Sequence, residues 1–193
     1  MDFKNGTELL ALCEEHQCPI SEIMKIRECD CGETDLSTVM AKMNKAWEIM
    51  KESASSPVAD PQRSIGGLIG GEAKLLSEHR VSGKAICGGV LSRAVTYACA
   101  VLEVNTSMGL IVAAPTAGSS GVVPGVLLAL QEEFGISDEE ITNALFNAGA
   151  VGYLAMRNAT VAGAVGGCQA EVGVASAMAA SAAVELMGGT PEQ

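Results

Sequence analysis

The stretch Ala159–Gly188, ATVAGAVGGCQAEVGVASAMAASAAVELMG, restricts the fold more than any other part of this chain. From Ala170 to Val184 its side chains are almost all Ala, Val, Gly, Ser or Met, with a single carboxylate at Glu171. A helix that is apolar on every side needs cover on every side, so this run reads as a buried helix that neighbours approach closely. The flexible run Gly163-Ala164-Val165-Gly166-Gly167 precedes it, and Cys168 sits at its mouth. A thiol there can face the free amides of a helix N-terminus, which favour a thiolate. That chemistry suits a metal or cluster ligand, or a nucleophile. Cys168 also fits the role of one more small core residue, since a free cysteine packs as a small hydrophobe. Gln169 and Glu171 beside it argue for chemistry.

The rest of the composition agrees with closely packed helices. Apolar residues make up 48% of the 193 and aromatics only 3%, so the core is built from aliphatic side chains, alanine, glycine and methionine. The formal net charge of −11 opposes binding to nucleic acid or to an anionic membrane surface. The start, MDFKNGTELL, lacks the basic and apolar segments of a secretory leader, and no apolar run is long enough to span a bilayer. Seven cysteines, an odd number, then read as reduced thiols of a cytoplasmic protein.

Taken in order, Thr7–Gln17 reads as a helix that Pro19 ends. Ser21 is placed to cap a second short helix carrying Ile23, Met24 and Ile26. Glu28–Thr34 reads as a polar stretch. Cys13, His16, Cys18, Cys29 and Cys31 lie close together in sequence, which raises a zinc site, although the spacings are not the usual paired ones. Asp35–Ser55 is strongly helical, with Val39, Met40, Met43, Ala46, Trp47 and Met50 on one side. That methionine stripe suits core packing, or a soft surface for a partner. SASSPVADPQRSIGGLIGGE reads as a long connection whose paired glycines, Gly66-Gly67 and Gly70-Gly71, could hold an anion at the helix start near Glu72 and Lys74. Ser82 is placed to cap a helix over Gly83–Glu103 with Ile86, Val90, Leu91, Ala94, Val95 and Ala98 buried. Met108–Ala114 could be a short strand or a buried extended segment. PTAGSSG after it brings hydroxyls and glycines together, as an anion cradle or a tight turn would. Helices over Val122–Phe134 and from a capping box at Ser137-Glu140 to about Asn158 follow. Thr190-Pro191-Glu192-Gln193 has the pattern of a helix start, so the chain is expected to be a piece of a longer one. The fold implied is all-α: a single helical domain over 1–193 of about seven or eight helices with little or no sheet, with a possible helical subregion over 1–56.

Four segments together carry a resemblance. LLALCEEHQCPISEIM, VMAKMNKAWEIMKES, EVNTSMGLIVAAPTAGSSGVVPGVLLAL and NATVAGAVGGCQAEVGVASAMAASAAVELMGGTPEQ are similar to the α chain of iron–sulfur-dependent L-serine dehydratase, an L-serine ammonia-lyase. The resemblance implies a cytoplasmic lyase of amino-acid degradation and gluconeogenesis with a [4Fe–4S] cluster on three cysteines. Cys168 matches the first of the three. The other two belong to motifs absent from this sequence, so this stretch alone is expected to be inactive and to hold no stable cluster. In that chemistry an open cluster iron acts as a Lewis acid on serine, water is eliminated, and the imine hydrolyses to pyruvate and ammonia. The resemblance implies a carboxylate cradle at Thr116, Ser119 and Ser120. It gives Asn105, Asn158, Gln169 and Glu171 roles in orienting substrate or ligand, and a separate β subunit as partner in a heterodimer or larger oligomer. No base is identified; Lys74 and Glu72 are candidates by chemistry alone, and His79 is a further one. No ligand position matches Cys13, Cys18, Cys29, Cys31, Cys87 or Cys99.

Two other classes fit parts of the sequence. A pyridoxal-phosphate lyase would seat its phosphate in AGSSG and form its Schiff base on a lysine such as Lys84, but such folds alternate strands and helices. A non-catalytic helical scaffold that binds a partner needs none of the site residues.

Overall fold

The computed structural model describes residues Met1–Gln193, and it is all-α. Its helices are α1 Gly6–His16, α2 Ile20–Gly32, α3 Leu36–Ala59, α4 Glu72–Val81, α5 Gly88–Thr106, α6 Val122–Phe134, α7 Asp138–Asn158, the single turn α8 Gly163–Gly166, and α9 Cys168–Leu186. A 3-10 turn covers Ala117–Ser119, and there is no strand. Met108–Ala114 is irregular, and Met108 and Leu110 are exposed rather than buried. No helix is long and apolar enough to cross a membrane.

The chain forms two compact units, Met1–Lys45 with Ser137–Gln193, and Ala46–Ile136. The division does not follow the 1–56 boundary, because α3 gives its first residues to one unit and the remainder to the other.

In the first unit α2 packs on α7, α7 on α9, and α1 on α2. Phe3, Leu9, Cys13, Ile20, Ile23, Met24, Val39, Phe146 and Ala150 form its core. Asn5, one residue before α1, caps it by accepting the N–H of Glu8 at 2.9 Å. α2 starts earlier and ends later than its pattern suggests. Pro19 stands at its N-cap, and the polar stretch through Cys29 and Cys31 is helical to Gly32. Ser21 is therefore inside the helix and caps nothing. Its own N–H donates to Oε2 of Glu185, from α9, at 3.3 Å. The same oxygen accepts Nδ2 of buried Asn147 at 2.6 Å, and Asn147 Oδ1 accepts the Ser181 hydroxyl at 2.6 Å. One carboxylate thus supplies a cap that local sequence lacks, and the buried amide beside it has both ends satisfied. α7 carries the expected capping box, with Glu140 N–H donating to Ser137 Oγ and Ser137 N–H to Glu140.

In the second unit α5 packs against α6 on one side and α4 on another. α3 runs through Pro57, so part of the expected long connection is helical. Proline removes one intrahelical bond there, and its ring is fully buried, which offsets the loss. Ser82 ends α4 instead of starting α5: its hydroxyl donates to the His79 carbonyl, and α5 begins only at Gly88. The buried side of α5 is also rotated from the expected one. Ala94, Thr96, Ala100, Val101 and Glu103 are buried, whereas Ile86, Leu91 and Val95 are exposed.

The α5–α6 contact is set by glycine. A Cβ on Gly125 would stand 2.7 Å from the Ala94 carbonyl oxygen and 3.0 Å from the Ala98 amide nitrogen. Only a residue without a side chain lets the two backbones approach this far.

Candidate functional site

The segment Ala114–Gly121 connects the irregular stretch to α6 and starts with a cis peptide bond at Ala114–Pro115. Its hydroxyls are turned inward. Ser120, fully buried, donates to the Ala117 carbonyl at 2.8 Å. Ser119, 2% exposed, lies 3.2 Å from the Thr116 hydroxyl. Asn105, near the end of α5, donates Nδ2 to the Ala117 carbonyl at 3.0 Å and so holds the loop from outside. Gly121 then fills the N-cap position of α6, where no side chain accepts the first-turn amides. Those amides carry the positive end of the helix dipole. Thr116 is half-buried, and Ala117 and Gly118 are exposed.

The Gly-rich connection before α4 is occupied by the protein's own carboxylates. Gly70 N–H donates to Glu72 Oε2 at 2.7 Å. Ala73 N–H, in the first turn of α4, donates at 2.8 Å to Oε1 of Glu103, which is 1% exposed. Glu103 carries no signal in the sequence, because a lone acid near the end of an apolar helix gives none until its partner is known. Its Oε2 is buried without a hydrogen-bond partner. Lys74 and His79 are exposed on α4.

In the other unit, Cys168 is the first residue of α9 and is exposed. The preceding turn is tight: Gly167 has φ of 77°, and Gly163 lies so close to the Glu171 carboxylate that a Cβ there would stand 2.6 Å from Oε2. Gln169 is exposed and Glu171 half-buried. α9 is less covered than its composition suggests. Ala175, Met178, Ala179 and Ala182 are buried, but Val172, Gly173, Ser176, Ala177 and Ala180 are open. Asn158 uses its Nδ2 on two backbone carbonyls, Lys4 at 2.8 Å and Leu154 at 2.9 Å, which ties the N-terminal arm to α7.

All seven cysteines are free, and no three His, Cys, Asp or Glu side chains are grouped to hold a metal ion. The cysteines of α1 and α2 accordingly form no zinc site. Burial pushes the Cys13 thiol up to about 11, and Cys18 and Cys99 are also raised by burial. An iron–sulfur cluster would find one suitable donor here. Cys168 is exposed at a helix N-terminus that favours an anionic ligand, and no second cysteine joins it.

Residues 15–193 match the family model described as serine dehydratase alpha chain. The probable L-serine dehydratase α chain of Bacillus subtilis is 44% identical over 191 residues, which cover 99% of this chain and 63% of that protein. The L-serine dehydratase α chain of Peptoniphilus asaccharolyticus is 39% identical, with 99% of this chain and 65% of that one covered. L-serine dehydratase 1 of Escherichia coli is 34% identical, and there this chain covers 43% of the relative. The chain thus spans somewhat under two thirds of the α chains it matches, and on this likeness along nearly its whole length it belongs to the serine dehydratase alpha chain family.

Proposed function

We propose that this chain forms part of an enzyme that eliminates water from L-serine and releases pyruvate and ammonia. The family match over residues 15–193 is the observation that carries this reading. The two site segments support it: a rigid hydroxyl- and amide-rich loop at the start of α6, and an exposed thiol at the start of α9.

In this reading Cys168 is one of the thiolates on a [4Fe–4S] cluster, whose remaining ligands come from outside these residues. When bound, such a cluster supplies Lewis acidity to a departing hydroxyl, a poor leaving group at neutral pH. The chain's own residues bind and orient. Ser119 and Ser120 spend their hydroxyls on carbonyls within the loop, which fixes its shape. Thr116 and the backbone amide of half-buried Val122, at the uncapped start of α6, are then the groups offered to the serine carboxylate. Asn105 keeps the loop in place through Ala117. Gln169 and Glu171 orient the Cys168 turn, Glu171 by packing on Gly163. Asn158 anchors the N-terminal arm and leaves no amide proton for substrate. The general base is not assigned to this chain: Glu72 is engaged by Gly70, and Lys74 is exposed. Relatives named as α chains support a separate β subunit as partner.

The test is pyruvate formation from L-serine by the complete protein with its partner subunit. The protein is reconstituted with iron and sulfide without oxygen and assayed before and after exposure to air. Activity that needs iron, is lost in air and is absent from Cys168→Ser is the expected result. Activity indifferent to iron and to Cys168→Ser would sink the cluster reading. Activity abolished by carbonyl reagents would move the assignment to pyridoxal phosphate.

A further inference from the structure

A cavity of about 320 Å³ opens between the C-terminal half of α2, the start of α3 and the middle of α7, within one compact unit. That is at the lower end of the roughly 300–1,000 Å³ of small-molecule sites. Met24, Val39, Met43 and Phe146 make its wall apolar. Gly149 widens it: a Cβ there would meet only the Met24 Cε, at 3.9 Å, so the missing side chain leaves room and is not required by close packing.

The charges at the rim are unequal. Glu28 is paired with Arg27, whose Nη1 lies 2.9 Å from its Oε1; Arg27 also holds Asp2, which Arg157 shares at 3.1 Å, so these two acids are matched by two arginines. Lys42, exposed on α3, makes no ion pair or hydrogen bond, and the hydroxyl of Thr34, which lines the same cavity, is also without a bond. The uncompensated charge facing this apolar hollow is therefore a cation, with a second donor in the same lining, in a chain of net charge −11. The one carboxylate lining the rim, Glu28, is already engaged by Arg27.

We propose that this cavity is a binding site for a small apolar monocarboxylate. The carboxylate lies on Lys42 Nζ and Thr34 Oγ1, and a hydrocarbon tail of about five carbons enters between Met24, Met43 and Phe146. The two methionines are flexible enough to close on tails of different branching. An amino acid fits less well, because its ammonium group would lose water without gaining a partner. Serine fits least, since its hydroxyl would enter the apolar wall unpaired. The site is therefore distinct from the one proposed for the substrate, and it does not depend on that proposal.

The experiment is calorimetric titration of the purified protein with hexanoate, hexan-1-ol and hexylammonium. Hexanoate is expected to bind with a dissociation constant of roughly 1 mM. Hexan-1-ol should bind about tenfold more weakly and hexylammonium not measurably. Lys42→Met, an exposed change that leaves the fold intact, should remove the preference of hexanoate over hexan-1-ol. Gly149→Leu should fill the cavity and abolish binding of both. If Gly149→Leu proves unfolded by circular dichroism, Lys42→Met alone decides. No saturable hexanoate binding, equal binding of hexylammonium, or an unchanged preference in Lys42→Met would each overturn the proposal.

Discussion

Gly121 lies directly against the backbone of Ala98, so that a Cβ on Gly121 would overlap the Ala98 carbonyl oxygen and stand 3.0 Å from its Cα. The loop that carries Ser119 and Ser120 ends at this residue, and α6 begins at the next. The position of the loop is therefore set by how closely α6 approaches α5. Gly121→Ala is expected to lower stability by about 1–3 kcal/mol, because the obstacle is backbone and cannot turn aside. Urea unfolding measures this. Gly6→Ala, where a Cβ would meet nothing within 4 Å, should instead be neutral or stabilising by up to about 1 kcal/mol. Equal effects of the two changes would contradict the close-approach argument.

Glu103 joins α5 to α4 through one hydrogen bond to Ala73. Glu103→Ala leaves a buried amide without an acceptor and should cost about 1–3 kcal/mol. Glu103→Gln keeps the acceptor and removes a buried charge, so its loss should be smaller. The Ala73 amide should exchange with solvent faster in Glu103→Ala than in Glu103→Gln. The same exchange rate in both would mean that the bond does not hold the start of α4.

The thiols should divide by exposure. Cys31, Cys87 and Cys168 are exposed, whereas Cys13 is 4% exposed and its thiol is pushed up to about 11 by burial. At pH 8 iodoacetamide should modify the three exposed cysteines first and leave Cys13 until the chain unfolds. Mass spectrometry of the labelled peptides reads the order. Early labelling of Cys13 would show that α1 opens readily from the core.

Acid should release the N-terminal arm. The Arg27 guanidinium, bonded to Asp2 at 3.0 Å, holds the Asp2 carboxyl down to about 2, helped by the hydroxyl of Tyr153. A depressed carboxylate contributes stability that is full above its unfolded value of 3.8 and is lost as pH falls through about 2. Asp2 is well exposed, so solvent screening keeps the size modest. In Asp2→Asn the part of the acid dependence between about pH 4 and 2 should shrink. An unchanged acid profile would show that the Arg27–Asp2 pair does not stabilise the fold.

Much of the architecture was legible from local chemistry. The capping box at Ser137, the stop at Gly135 and the one-sided apolar pattern of α3 are decided within a turn or two of sequence, and each element formed there. Family membership was legible for a related reason: the segments around Ser119 and Cys168 carry a combination of residues that ordinary packing does not demand. What the sequence left open depends on partners distant along the chain. Ser21 looked like a cap, yet the acceptor that faces α2 is Glu185, 164 residues away. The Gly70-Gly71 turn looked ready for an external anion, yet Glu72 and the remote Glu103 already accept its amides and those of α4. The buried side of α5 departs from the most apolar one: Ile86, Leu91 and Val95 are more apolar than Ala94 and Ala100, but the close approach of Gly121 and Gly125 to Ala94 and Ala98 draws the alanine side inward. Local propensity and periodicity determine which segments become helices. Only the tertiary structure decides which side of a helix is covered and which carboxylate meets which amide, because those outcomes depend on backbone approach between segments far apart in sequence.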